Sequence, residues 1–311
     1  MLAIPSVGMA VSTNQHNVKI DVLCDWIEAS ALFLDEAHLP DAEVVDALVE
    51  EEIYESQGFA WEIVADAWSQ MRRRQKWIGK ASPITVESHR LVRERDWQQA
   101  PAHSFCLALT LAQFYPQWAK GFGSNFTVQG ELFEKLTQRS VELLFPGWVV
   151  HRTGWATSQP KKITEVVEEI ANILGESKGD IGRWVGPHAN EAGLDLLCYR
   201  PFPDGRVGVP VYLMQCASGT NWEGKLHTPH LGIWKKLVQF AAHPGKAFAM
   251  PFALTDVDFP VKCGTVDGLT LDRYRLLSSG GDNPDWVPAD LTHEIVAWLE
   301  PRLATLAQYS E

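Results

Sequence analysis

Two short apolar segments near the middle of the chain do most to constrain its fold. Residues 193–199 and 209–216 are each of strand length and rich in Leu, Val and Tyr, and Pro203-Asp204-Gly205 lies between them. Pro presets one backbone angle of a turn and Gly accepts the positive φ that closes it, so the two segments are expected to form a β-hairpin. Each strand carries one polar residue in apolar company: Asp195 beside Leu194, Leu196 and Leu197, and Gln215 after Val211-Tyr212-Leu213-Met214. A carboxylate buried on such a strand costs several kcal/mol unless it is paired or bound to a cation, so Asp195 is expected to have a function. Gln215 raises the same question more mildly, because backbone groups can satisfy an amide.

The surrounding periodicity supplies the other elements. Residues 129–145 are helical in pattern, with Leu132, Phe133, Leu136, Val141 and Leu144 apolar, and Pro146-Gly147 stops them. Residues 148–155 predict a short strand, 163–174 an amphipathic helix ending at Gly175, 231–242 a further helix, 247–254 a buried strand, and 291–306 a terminal helix. Upstream, 22–34, 44–53 and 59–71 predict three helices, 81–100 a polar linker or irregular connection, and 105–119 a buried helix. The expectation is an α/β (α+β) chain. A helical N-terminal region over 1–120 precedes a domain over 121–311 with a central mixed β-sheet flanked by helices.

At 311 residues and 46% hydrophobic the chain is long enough for two packed domains. Its apolar runs fall far short of the roughly 20 residues that cross a bilayer, and its start lacks the pattern of a signal peptide, so a cytoplasmic location is expected. The five cysteines are scattered, without zinc-binding spacing, and read as reduced, mostly buried thiols. The 13 tryptophans read as core or interface anchors. A net charge of -12 argues against a general basic coat, so contact with nucleic acid needs a local patch or a partner. No Lys or Arg occurs between Asp21 and Gln70, which reads as a solvated acidic face or a docking surface for a basic partner. Arg72-Arg73-Arg74-Gln75-Lys76 follows at once. It reads as a solvated helix C-terminus, where the dipole favours cations, or as a grip on phosphate.

The order of elements from about Gly130 to Asp256, with Asp195 and Gln215 on the hairpin, resembles the common core of the PD-(D/E)xK superfamily of restriction-endonuclease-like nucleases. Gly130-Glu131-Leu132-Phe133-Glu134 resembles the family's helical G-x-x-F-E and selects Glu134. Gly193-Leu194-Asp195 matches the strand that carries the metal-binding Asp. Gln215-Cys216-Ala217 matches the strand on which Glu or Gln is followed two residues later by Lys. The resemblance implies a nuclease hydrolysing phosphodiester bonds, with DNA the expected substrate and anti-phage defence a setting in which such domains occur. It also implies magnesium, or manganese in its place, bound by Asp195, Gln215 and Glu134. The residue types suit that ion, which takes hard oxygens and usually only one or two carboxylates beside water and phosphate.

Position 217 departs from the family, because Ala217 stands where the lysine belongs. Lys225, in the glycine-punctuated stretch directly after the second strand, is the leading substitute for the catalytic lysine, with Lys235 and Lys236 behind it. The departure also admits a second function: a nuclease-shaped subunit without chemistry, serving as a binding or assembly module for an ATPase or helicase docked on the acidic N-terminal region. A homo-oligomer is a further option.

Other residues invite plainer readings. Glu191 is a rival carboxylate read as a loop acid. His151 and His188 read as structural. Strand alternation turns Cys216 away from Gln215, and no order of Cys, His and Asp for a nucleophilic site is legible. Leu271-Asp272-Arg273-Tyr274-Arg275-Leu276 resembles a closing segment found after the core in some of these nucleases. Its Arg273 and Arg275 would contact phosphate if they flanked the cleft; the plainer reading is a strand with a surface ion pair.

Overall fold

In the computed structural model, residues 1–9, 18–123, 125–154, 161–184, 193–306 and 308 are described. The first stretch contains α1 (Ile20–Phe33), β1 (His38–Pro40), α2 (Asp41–Glu50), α3 (Gln57–Ile78), β2 (Ile84–Val86), β3 (Arg90–Arg93), α4 (Pro101–Phe114) and α5 (Pro116–Lys120). Two expectations fail here. α3 runs to Ile78, past its expected end at Met71, so the basic run occupies its last two turns. Residues 81–100 are no linker, since β2 and β3 join β1 in a three-stranded antiparallel sheet of order β1-β3-β2. These strands are three or four residues long, with only Leu39, Ile84 and Leu91 fully buried, too few apolar positions to show as alternation. The helix expected over 105–119 is divided at Pro116, whose ring cannot continue it.

Residues Asn125–Asp272 form a second unit. In order these are α6 (Thr127–Leu144), β4 (Val149–Arg152), α7 (Ile163–Leu174), β5 (Ser177–Lys178), α8 (Ile181–Trp184), β6 (Leu196–Tyr199), β7 (Val211–Cys216), α9 (Leu231–Leu237), β8 (Val238–Gln239), β9 (Gly245–Ala249), α10 (Asp258–Val266) and β10 (Leu269–Leu271). The hairpin forms as its turn chemistry dictates: β6 and β7 pair antiparallel from Leu196 opposite Met214 to Tyr199 opposite Val211. Gly205 takes φ +64° in the connection. β4 adds antiparallel to β6, while β9 and β10 add parallel beyond β7, giving one mixed sheet of order β10-β9-β7-β6-β4.

Alternation along β7 sorts the two faces. Val211 and Leu213 point to the side where Val166, Val167 and Ile170 of α7 and Trp234 and Leu237 of α9 bury their apolar stripes. Cys216 points to the other side, toward Glu134 of α6, whose charge acts on its thiol. α9 is shorter than expected because Val238 leaves the helix to pair with Lys178 of β5.

Beyond the sheet, α11 (Arg273–Leu277) and α12 (Ala289–Leu306) belong with the first stretch, so that unit comprises Met1–Ser124 and Arg273–Glu311. The segment 271–276 is therefore a strand end followed by a helix. Its Arg273 is buried, and Nη1 and Nη2 clasp both carboxylate oxygens of Asp25 on α1 at 2.8 and 2.9 Å, so its charge is taken up inside its own unit. Arg74 of α3 reaches the same carboxylate at 2.6 Å and Glu28 at 3.2 Å, so part of the acidic stretch is an interior ion cluster, not a solvated face. Two guanidinium groups from remote sequence compensate two buried carboxylates. Among the described residues no helix is long and apolar enough to cross a membrane.

Candidate active site

Asp195 stands one residue before β6, where the regular pairing with β7 ends at Leu196 opposite Met214. Its backbone is fixed from both sides. Thr153, just past β4, donates its N–H to Asp195 O at 2.9 Å and its hydroxyl to Leu194 O at 2.9 Å, while Asp195 N–H donates to Met214 O at 2.9 Å. The side chain is 9% exposed, and its Oδ2 accepts the Cys216 N–H at 2.7 Å and an N–H from Gln215 Nε2.

Gln215, 6% exposed, faces two ways. Its Nε2 donates to Asp195 and, at 3.2 Å, to Cys216 O, and its Oε1 lies 3.1 Å from Thr228 Oγ1. Thr228 Oγ1 lies closer to Lys225 O, at 2.6 Å, and a hydroxyl has one proton to give. With that proton on Lys225 O, the Thr228 oxygen offers Gln215 a lone pair. Turning the amide its other way, N–H to Thr228 and Oε1 to Asp195, gives up the bonds to both Asp195 Oδ2 and Cys216 O and sets two acceptor oxygens side by side, an arrangement that a cation between them would satisfy. Gly193 makes this close approach possible: it holds φ +62°, and a Cβ there would lie 2.6 Å from Thr228 Cβ and 3.1 Å from Gln215 Oε1.

Glu134 comes to the same place from α6, one turn before Thr137, and is 3% exposed. Burial, and next the negative charge of Asp195, push its carboxyl up to about 9; Arg152 opposes and Glu131 adds to the rise. Glu131 is itself engaged by Lys135 at 3.3 Å and Arg152 at 3.8 Å. Two carboxylates thus share a poorly solvated space, and either a proton on Glu134 or a cation relieves their repulsion. The Cys216 thiol is held far above its usual range, by burial first and then by Asp195 and Glu134, which leaves it protonated and unsuited to nucleophilic attack.

The lysines divide clearly. Ala217 is buried among Trp222, Leu226, Phe248 and Met250, so the family's lysine position opens into an apolar cluster. Lys225 ends a short 3-10 turn, Trp222–Lys225, and is tied to the site through its carbonyl and Thr228. Its ammonium makes no ion pair among the described residues. Lys235 and Lys236 are exposed on α9, and Lys236 Nζ sits 3.7 Å from the centroid of the Trp184 ring. Sequence reasoning missed Lys246 on β9, opposite Leu213. Its Nζ is buried against Leu226 O at 2.8 Å, and burial lowers its pKa against the pull of Asp267. The only signal in the sequence is a charge at the edge of an apolar run. His151 Nε2 lies 3.2 Å from Glu169 Oε1, and both side chains are partly exposed. Glu191 and His188 lie outside the described residues.

Family models, characterised proteins and solved structures give no match to this chain. Function has to be argued from the site itself. Among the described residues no group of three or more His, Cys, Asp or Glu side chains is placed to hold a metal ion. The set at this site is two carboxylates and an amide, which is a small but chemically suitable complement for a hard divalent cation.

Proposed function

We propose that residues 125–272 hydrolyse phosphodiester bonds of nucleic acid, DNA first among them, with magnesium or manganese held by Asp195, Gln215 and Glu134. The reading is carried by one observation: Asp195 and Gln215 lie side by side at the end of the hairpin, with Glu134 close enough across the sheet for Asp195 to raise its pKa. A divalent ion bound there supplies Lewis-acid polarisation of the phosphate and an attacking water of lowered pKa. The chain's own part is positional. Thr153, Met214 and Cys216 fix Asp195, Thr228 sets the orientation of the Gln215 amide, and Glu134 exchanges its proton for the cation. Lys225 is assigned the positive charge that the family takes from position 217, since it follows β7 directly and its backbone is bound to Thr228.

The apolar packing of Ala217 favours a second reading, in which the unit keeps the architecture without the chemistry and acts as a binding module. A cleavage assay separates the two. Wild-type protein with Mg²⁺ or Mn²⁺ is expected to cut DNA or RNA, and Asp195→Asn, which keeps an acceptor for the Cys216 N–H, is expected to be inactive with an unchanged circular-dichroism spectrum. Cleavage surviving in Asp195→Asn sinks the assigned site, and no cleavage by the wild type favours the binding module. Lys225→Ala is expected to abolish cutting; if it does not, Lys235 and Lys246 take its place.

A further inference from the structure

The chain is acidic overall, yet eight of its 27 Lys and Arg and only two of its 39 Asp and Glu lie between Arg72 and Arg95. At least four of the eight bond to backbone or buried groups of the fold, among them Arg72, which donates to Ser88 O at 3.3 Å while staying exposed. Arg74 is buried in the ion cluster, Arg93 donates to the carbonyls of Leu34 and Asp35, and Arg95 donates to Ala81 O at 2.9 Å. Arg72, Lys76 and Lys80 remain exposed at intervals of four residues, which aligns them in one stripe along α3 and the 3-10 turn that continues it. That stripe forms a wall of an open groove of about 710 Å³, with Gln75, Thr85 and Arg95 also lining it. A neighbouring groove of about 600 Å³ shares Arg72 and adds His89 and Arg90.

We propose that this groove binds the sugar-phosphate backbone of a nucleic-acid strand. At 1.5 Å per residue the stripe from Arg72 to Lys80 is about 12 Å long. That length matches roughly three or four phosphates at the 3.4 Å rise of one strand. A groove open along its length admits a chain, whereas a single phosphate calls for a closed cradle. The acids present do not cancel the field. Glu94 is the acid that lines the groove, Glu87 is engaged with Arg90, and Lys80–Asp282 at 3.0 Å and Arg95–Asp285 at 3.7 Å are pairs whose carboxylates stay largely exposed, of the kind that contributes little and yields to a stronger anion. The choice of nucleic acid as the polyanion rests on the nuclease reading of residues 125–272; the groove and its charge do not.

The test is fluorescence anisotropy of the full-length protein with labelled 20-nucleotide single-stranded DNA, duplex DNA and RNA, in EDTA so that nothing is cut. The triple variant Arg72→Ala, Lys76→Ala, Lys80→Ala is expected to weaken binding at least about tenfold. It should also flatten the plot of log affinity against log salt by about 2 to 3, the loss of three phosphate contacts. Lys76→Glu alone, at an exposed position, should act in the same direction. Which of the three probes binds best identifies the strand type. Triple-variant binding equal to wild type overturns the proposal, as does binding to anionic vesicles with none to any nucleic acid. If the wild type binds through the groove but never cuts with Mg²⁺, the nuclease reading fails and the groove stands; if it cuts while the triple variant binds normally, the reverse holds.

Discussion

Glu134 is the residue whose titration carries most information about the site. Its folded-state pKa lies above the unfolded value, so the folded state holds the proton after the unfolded chain has released it. The associated stability is complete below about 4.5 and is lost as pH rises toward about 9. At pH 8 the wild type therefore carries a buried carboxylate facing Asp195 or retains a proton it would give up in water. Glu134→Gln, of equal size and without charge, is expected to melt higher than the wild type at pH 8, with the difference shrinking toward pH 5. Added Mg²⁺ should raise the melting temperature of the wild type at pH 8, because the cation takes the proton's place, and should do so far less in Asp195→Asn. Thermal denaturation at the two pH values reads both effects without any substrate. An unchanged wild-type melting temperature up to millimolar Mg²⁺ would remove the metal from the proposal.

At the scale of elements, β7 and the turn after it decide whether the site can be chemical. The side chain two residues after Gln215 enters the cluster of Trp222, Leu226, Phe248 and Met250, whose apolar side chains cannot solvate an ammonium. Ala217→Lys should thus lower stability by several kcal/mol and leave cleavage no faster, measured by denaturant unfolding beside the nuclease assay. A stable, faster variant would show that position 217 opens on the site after all. The hairpin, α6, α7 and the apolar β9 were legible because each has a strong local signal: turn residues between apolar runs, a 3.6-residue stripe, a Gly at the helix end. Asp195 and Gln215 stood out for the same reason, as polar residues where the pattern wanted apolar ones. The three-stranded sheet of β1, β2 and β3 was illegible because it is short and mostly polar. The early end of α9 depends on β5, a partner more than fifty residues earlier in the chain. Lys246 and Thr228 escaped notice because their roles arise only when β9 and the segment after Lys225 are brought beside β7.

For the whole molecule, the decisive feature is that the chain leaves its first unit after Ser124 and returns to it at Arg273. The return is fastened in the interior. Asp25 receives Arg74 from one side and Arg273 from the other, and Thr110 of α4 accepts a further bond from Arg273 at 2.6 Å. Glu28 completes the cluster: burial works against its charge, but Arg74, the His103 ring and Arg273 outweigh it and hold the carboxyl at about 2. A depressed carboxyl contributes stability that is full above about 4.5 and is lost as pH falls toward 2, the opposite sense to Glu134. The sequence pattern read Asp25 as part of a solvated or docking face and Arg273 as part of a surface ion pair or a contact to phosphate, because no local pattern joins residue 25 to residue 273. Removing one partner of such a cluster leaves the others buried without compensation, at a cost of about 3–5 kcal/mol. Arg273→Ala should accordingly lower the unfolding free energy by about that amount and strip hydrogen-exchange protection from α1, α3 and α4. The double variant Asp25→Leu, Arg273→Met removes both charges of the 2.8 Å pair and leaves Arg74 facing Glu28. It is expected to recover part of the loss, which separates the cost of an orphaned charge from the loss of packing. If Arg273→Ala unfolds no more easily than the wild type, the cluster is not what holds the returning segment in place.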